Sequence, residues 1–194
     1  ADGALVSVVG PVEPAQVQAQ LAALLDGWRA PQAYQRVPHP LYAKAPARLR
    51  FDTPDKANAS IEVQMGVALN QFEPDSFAMG LGARILGGGP GSRLWHRLRE
   101  STGLSYSAGA YFEAATWDSR ATLALSAEVN PRNLGRAEAA LREELDQSVA
   151  QGFSDGEVEG FKRQWLSDRQ RERSGDAWAA GALHTKLEFG KPWE

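Results

Sequence analysis

The chain has 194 residues, 43% hydrophobic and 23% charged, a composition that suits a globular protein with a core of its own. A net charge of −3 and a pI near 5.7 argue against a nucleic-acid binder, which carries a basic face, and are too mild for an acidic tail. There is no cysteine, so disulfides, cysteine-ligated zinc and thiol catalysis are excluded, while oxidising and reducing compartments both stay open.

The opening ADGALVSVVG lacks the basic and long apolar regions of a signal peptide. Leu5 to Val9 reads instead as a short buried strand ended by Gly10-Pro11. Val17, Leu21, Leu24, Leu25 and Trp28 recur at intervals of three and four, so Pro14 to Trp28 reads as a helix with proline in its first turn. Prolines at 31, 38, 40 and 46 mark a loop. Arg48–Thr53 and Ser60–Ala68 alternate as strands, the second with Ile61, Val63, Met65 and Val67 on one face. Glu73-Pro74-Asp75 starts a helix through Phe77, Leu81, Ile85 and Leu86, which runs into Gly87-Gly88-Gly89-Pro90-Gly91.

Ser92 to Thr102 forms the next helix, with an apolar edge of Leu94, Trp95 and Leu98; Gly103 suits the left-handed position that closes it. Leu104–Phe112 and Arg120–Val129 read as adjacent strands joined around Thr116-Trp117-Asp118. Three helices follow. Asn133–Ala150 carries Leu134, Ala137, Leu141, Leu145 and Val149. Ser154 to about Arg173 opens with the Ser154/Glu157 spacing of a capping box and buries Val158, Phe161 and Trp165. Asp176 to about Phe189 buries Trp178, Ala182 and Leu187. Strand pairs alternating with helices predict an α+β fold, with helices layered on one face of a mostly antiparallel or mixed sheet. No apolar run reaches the ~18 residues of a membrane-spanning helix, and no internal repeat is visible.

Most candidate chemistry reduces to structure. The glycine loop follows a helix and no lysine follows it, which fits a helix–helix turn and neither a phosphate loop nor a dinucleotide fingerprint. The histidines, His39, His96 and His184, lie far apart. His96 and His184 each have a glutamate four residues on, which suits a surface pair on a helix rather than a metal site. No serine sits in a Gly-x-Ser-x-Gly elbow. Arg169, Arg171 and Arg173 alternate with Gln170 and Glu172 on a solvated helix face, and core packing is the default for the tryptophans.

Arg99 and Tyr106 admit two readings. Arginine in a last helical turn interacts favourably with the carbonyl end of the helix dipole, and Tyr106 alternates in phase with Leu104, Ala108, Ala110 and Phe112 as a half-buried strand residue. Alternatively, a guanidinium and a phenol where a helix meets a sheet edge hold a peptide carbonyl and stabilise a developing oxyanion.

The stretch ILGGGPGSRLWHRLRESTGLSYSAGAYF resembles the C-terminal-half domain of pitrilysin-type zinc metallopeptidases, a family that includes insulin-degrading enzyme and mitochondrial processing peptidase. The resemblance is carried by Leu86-Gly87-Gly88, Ser92-Arg93-Leu94, Leu98-Arg99 and Gly103-Leu104-Ser105-Tyr106. LVSVVGPVEPAQVQAQLAALLDGW, PDKANASIEV and GFSDGEVEGFKRQWLSDRQRER extend it over nearly the whole chain. It implies one domain, residues 1–194, from a longer two-half protease whose four related domains form a clamshell. The inverted zinc motif would then lie in the other half, and no metal ligand is expected in this chain. This chain alone should be inactive. Arg99 and Tyr106 would contact the substrate carbonyl and support the transition state, and Gly87, Gly88, Gly89 and Ser92 would line the chamber. Implied partners are a peptide or unfolded polypeptide, a zinc-bearing N-terminal half or partner subunit, and a second copy in a homo-oligomer. The implied compartment is the periplasm or cell envelope. The alternative within the family is a catalytically inactive scaffold or peptide-binding member.

Overall fold

A computed structural model describes residues 4–190, which divide into two compact units: residues 38–162, and residues 4–37 with 163–190. The element order is α1 (Pro14–Leu25), β1 (Ala59–Val67), α2 (Pro74–Gly87), α3 (Arg93–Trp95) continuing as a π-helical segment (His96–Ser101), β2 (Ser105–Ala114) and β3 (Ala121–Val129). A 3-10 turn (Pro131–Asn133) then leads into α4 (Leu134–Gln151), α5 (Asp155–Glu172) and α6 (Asp176–Phe189).

The larger unit is built on an antiparallel sheet of order β1-β3-β2. Ile61, Val63 and Met65 alternate inward on β1, as their spacing predicts, and meet Leu123, Leu125, Ala127 and Val129 of the central strand. Helices cover that one face: Leu86 from α2, Leu94 and Leu98 from the α3 region, and Ala137 and Leu141 from α4 complete the core. Leu94, Leu98 and Leu141 are fully or almost fully buried, and each such side chain stabilises the fold by roughly 1.5–3 kcal/mol. The α+β class with one helical layer is therefore the architecture of this unit.

In the smaller unit, α1 keeps Val17, Leu21 and Leu25 half-buried, whereas Leu24 and Trp28 are exposed. Val158 and Phe161, from the part of α5 in the larger unit, and Trp165, Trp178 and Ala182 in the smaller, are half-buried; Leu187 is exposed. Gly190 closes α6 in the left-handed conformation, its N–H donating to the Lys186 carbonyl.

Three expectations from periodicity fail. Leu5–Val9 and Arg48–Thr53 are irregular, not strands. Alternation marks a segment that can pair, but a strand forms only when a neighbouring backbone supplies the ladder. Here Leu5, Val6, Val8, Leu49 and Phe51 stay exposed, while Arg48 pairs with Glu138 and Arg50 with Asp52. Val149 is 80% exposed, because the inner stripe of α4 continues through Glu144 and Ser148 instead. The tryptophans are not core residues either. Trp28 and Trp117 are exposed, Trp193 lies outside the described residues, and Trp95, Trp165 and Trp178 are half-buried beneath the guanidinium groups of Arg99, Arg169 and Arg173, 4.5–5.3 Å from the ring centres.

Candidate functional site

The segment from Gly87 to Tyr106 is locked at both ends. Gly87 lies against β2 so closely that a Cβ there would come within 2.1 Å of the Ala110 nitrogen, so only glycine lets α2 end on the sheet. Gly89 and Gly91 then adopt positive φ, and Ser92 is fully buried with its hydroxyl donating to the Gly89 carbonyl at 2.7 Å. Gly87 and Ser92 are thus interior, whereas Gly88 and Gly89 reach the surface.

Arg93 ties this loop to the helical layer. Its Nε and one terminal nitrogen donate to the two carboxylate oxygens of Glu157 at 2.6 and 2.9 Å. Further donor bonds reach the Gly152 carbonyl and Ser148 Oγ, and the guanidinium lies over Phe153. Glu157 also accepts from the Ser154 N–H and hydroxyl, completing the capping box of α5. The Arg93 bond, then the Ser154 bonds, hold the Glu157 carboxyl down at about 2 against the desolvation of its site. Arg97 pairs with Glu143 and Glu144. Glu144 and Ser148 therefore occupy buried positions on α4 because two arginines meet them there.

Beyond Trp95 the helix widens into a π-helical turn, where a single α-helix was expected. Thr102 Oγ1 donates to the Arg97 carbonyl, and the Leu104 N–H returns to the Leu98 carbonyl. Gly103, at φ +59°, makes the left-handed exit the sequence predicts. Such widened turns recur at functional sites because they re-aim the side chains they carry. His96 and Glu100 form the anticipated surface pair at 3.0 Å, as do His184 and Glu188 at 3.1 Å. The His96 bond lowers the Glu100 carboxyl from its ordinary value.

Arg99 is on this widened turn and exposed. It stacks on Trp95 and donates through one terminal nitrogen to the Tyr106 carbonyl at 2.5 Å. Arg99 stands in the last turn of its helical segment, as expected, and adds a bond to the strand. Tyr106 itself is the extra residue of a β-bulge: Ser105 pairs with Val129 and Ser107 with Glu128, leaving Tyr106 unopposed. The bulge breaks the alternation, so Leu104 and Ser105 are both buried, and Tyr106 turns outward at 58% exposure. Its in-phase, half-buried placement is thus corrected. The phenol makes no hydrogen bond among the described residues, and Arg99 keeps donors beyond the one that reaches Tyr106.

The pair can therefore donate to a carbonyl or carboxylate oxygen. The residues present do not fit zinc. His39 is exposed, His96 and His184 are paired with glutamates, and among the described residues no three histidine, aspartate or glutamate side chains group to hold a metal. The Arg93 knot, Glu144 and Ser148 were missed by periodicity; the signal available was polar residues on an otherwise apolar helix stripe.

No curated protein matches the chain. Among solved structures, it is similar to a protease from Helicobacter pylori (TM-score 0.69, 15% identity, 92% of this chain and 44% of that one). It is also similar to a peptidase M16 inactive domain from Pseudomonas fluorescens (TM-score 0.62, 21% identity, 71% of this chain and 32% of that one). A third likeness is to the inactive peptidase domain of a candidate zinc protease from Bordetella parapertussis (TM-score 0.56, 21% identity, 71% of this chain and 74% of that one). These likenesses establish the fold, and the chain spans less than half the length of the first two. The model of the peptidase M16 inactive domain matches residues 1–165. With the pitrilysin-type motifs from Leu86 to Tyr106 placed on that fold, this chain belongs to the M16 peptidase family as its inactive, non-zinc domain.

Proposed function

We propose that this chain is the C-terminal-half, substrate-side domain of a longer two-half zinc metallopeptidase that hydrolyses peptide bonds. In this reading the zinc is held by the other half of that protease, as membership of the family's inactive domain implies. Arg99 and Tyr106 serve that reaction from across the chamber. The Tyr106 hydroxyl donates to the substrate carbonyl, and the unused Arg99 donors favour the negative charge that develops on its oxygen. Gly88 and Gly89 form the accessible part of the adjoining wall, with Gly87 and Ser92 fixing its shape. The reading is carried by one observation: a bulge turns Tyr106 out to solvent while Arg99 is bonded to the same residue's backbone. β2 pairs with β3 on one side, and no strand among the described residues pairs with its other side, which leaves an edge for an extended peptide.

The test is cleavage of unfolded polypeptides by the full-length protein, comparing wild type with Tyr106→Phe and Arg99→Ala. Each variant is expected to lose about tenfold or more in kcat/KM, about 1.4 kcal/mol of barrier. Cleavage by both folded variants at the wild-type rate rejects the roles given to the pair. A wild type that cleaves nothing and still binds polypeptide makes the chain part of a scaffold.

A further inference from the structure

We propose that the cleft beside Tyr106 is a carboxylate-binding subsite, selective for an acidic group on the bound peptide. This inference rests on the peptide-binding role above and names the substrate chemistry of the same site. A half-open cleft of about 330 Å³ lies between the start of β2 and the 3-10 turn that follows β3. Leu104, Ser105 and Tyr106 line it on one side, Asn130, Arg132 and Asn133 on the other. That volume admits one peptide side chain or a chain terminus, not a folded partner.

Arg132 is the one charged residue of the lining, which includes no acid. Among the described residues no carboxylate pairs with Arg132, unlike Arg93 and Arg97 on the same unit. Its backbone N–H is already taken by Asn130 Oδ1, so the turn is complete and the side chain is not needed to hold it. Asn133 and Tyr106, which also line the cleft, carry a carboxamide and a phenol as further donors. Ser105, 8% exposed, also lines the cleft, and its Oγ is buried without a hydrogen-bond partner among the described residues. Glu128, the acid adjoining in β3, is exposed opposite Ser107 and is not among the residues that line the cleft. A cluster of donors with one unpaired guanidinium selects an anion that accepts several hydrogen bonds, which is what a carboxylate does. Its position next to Tyr106 places that group close to the peptide carbonyl the phenol would hold.

The chain itself tests this by calorimetric titration at low salt, without any need for turnover. Three peptides share one sequence: an amidated form with a central glutamate, the same with glutamine, and the glutamine form with a free C-terminal carboxylate. The glutamate peptide is expected to bind about tenfold tighter than its amidated glutamine twin. Arg132→Gln, an exposed substitution, should erase that difference, and so should high salt. If the free-carboxylate peptide alone gains, the subsite reads a chain terminus and the inference stands with that source. Equal binding of all three, no binding of any, or discrimination that survives Arg132→Gln overturns it. Because binding is read directly, a failed cleavage test of Tyr106 and Arg99 leaves this result separate.

Discussion

Arg93 and Arg99 lie on one short helical stretch and look interchangeable in the sequence, yet they have opposite environments. Arg93 is three-quarters buried and committed: a two-pronged bond to Glu157, a carbonyl, a serine hydroxyl and an aromatic ring use its fork. Arg99 is exposed and holds only the Tyr106 carbonyl and the Trp95 face. A guanidinium with four of its five donors bonded inside the protein maintains a fold. One that is anchored but keeps donors to spare is able to bind something else. The comparison teaches that the motif Ser-Arg-Leu…Leu-Arg contains one arginine consumed by the architecture and one that keeps spare donors, which is what the proposed role requires.

The largest effect should come from Arg93. Arg93→Met leaves Glu157 without its cation in a partly buried site, Glu144 keeping Arg97, and a loss of about 3 kcal/mol in unfolding free energy is expected from urea denaturation. A loss under about 0.5 kcal/mol would show the knot to be no stronger than a surface pair and would collapse the contrast with Arg99.

Acid should expose the same difference more gently. The folded-state Glu157 carboxyl sits at about 2, below its ordinary value of 4.5. A depressed carboxylate stabilises the fold above the unfolded value, and that contribution fades as pH falls from about 4.5 through 2. Wild type and Arg99→Ala should therefore share an acid limb in thermal melts over this window, while Arg93→Met should show a shallower one. An identical limb in Arg93→Met would mean that Arg93 is not what lowers Glu157.

The smallest expected change is in the stability of the site variants. Tyr106→Phe should stay within about 0.5 kcal/mol of wild type, and Arg99→Ala should lose about 1–2 kcal/mol, the sum of an exposed cation–π contact and one backbone bond. A Tyr106→Phe variant several kcal/mol less stable would make the phenol a structural group and remove the reason to place it in a site.

Much of this was legible in the residues. The inward face of β1, the capping box of α5, the left-handed exit at Gly103 and the His96/Glu100 pair each depend on neighbours within a few positions, and each appears where the spacing puts it. The Arg99/Tyr106 pair was visible as a motif, but local grammar offered two readings of it. Periodicity misplaced Tyr106 because a bulge adds a residue to β2 opposite β3, and nothing within β2 announces it. It placed Val149 inside because apolar residues are assigned to inner stripes, whereas Arg93 and Arg97 draw Glu144 and Ser148 there.

The sequence by itself determined the places of the main helices, the capping box of α5, the left-handed exit at Gly103, the order of the motifs and the absence of cysteine chemistry, all of which follow from composition, backbone preference and short spacing. Only the tertiary structure decided which alternating segments became strands, which arginine was consumed by the fold, and that Arg132 meets Tyr106 at one cleft. Those outcomes depend on partners far apart in the chain. A ladder, a buried ion pair and a cleft each require two surfaces to meet, and no local preference encodes the second surface.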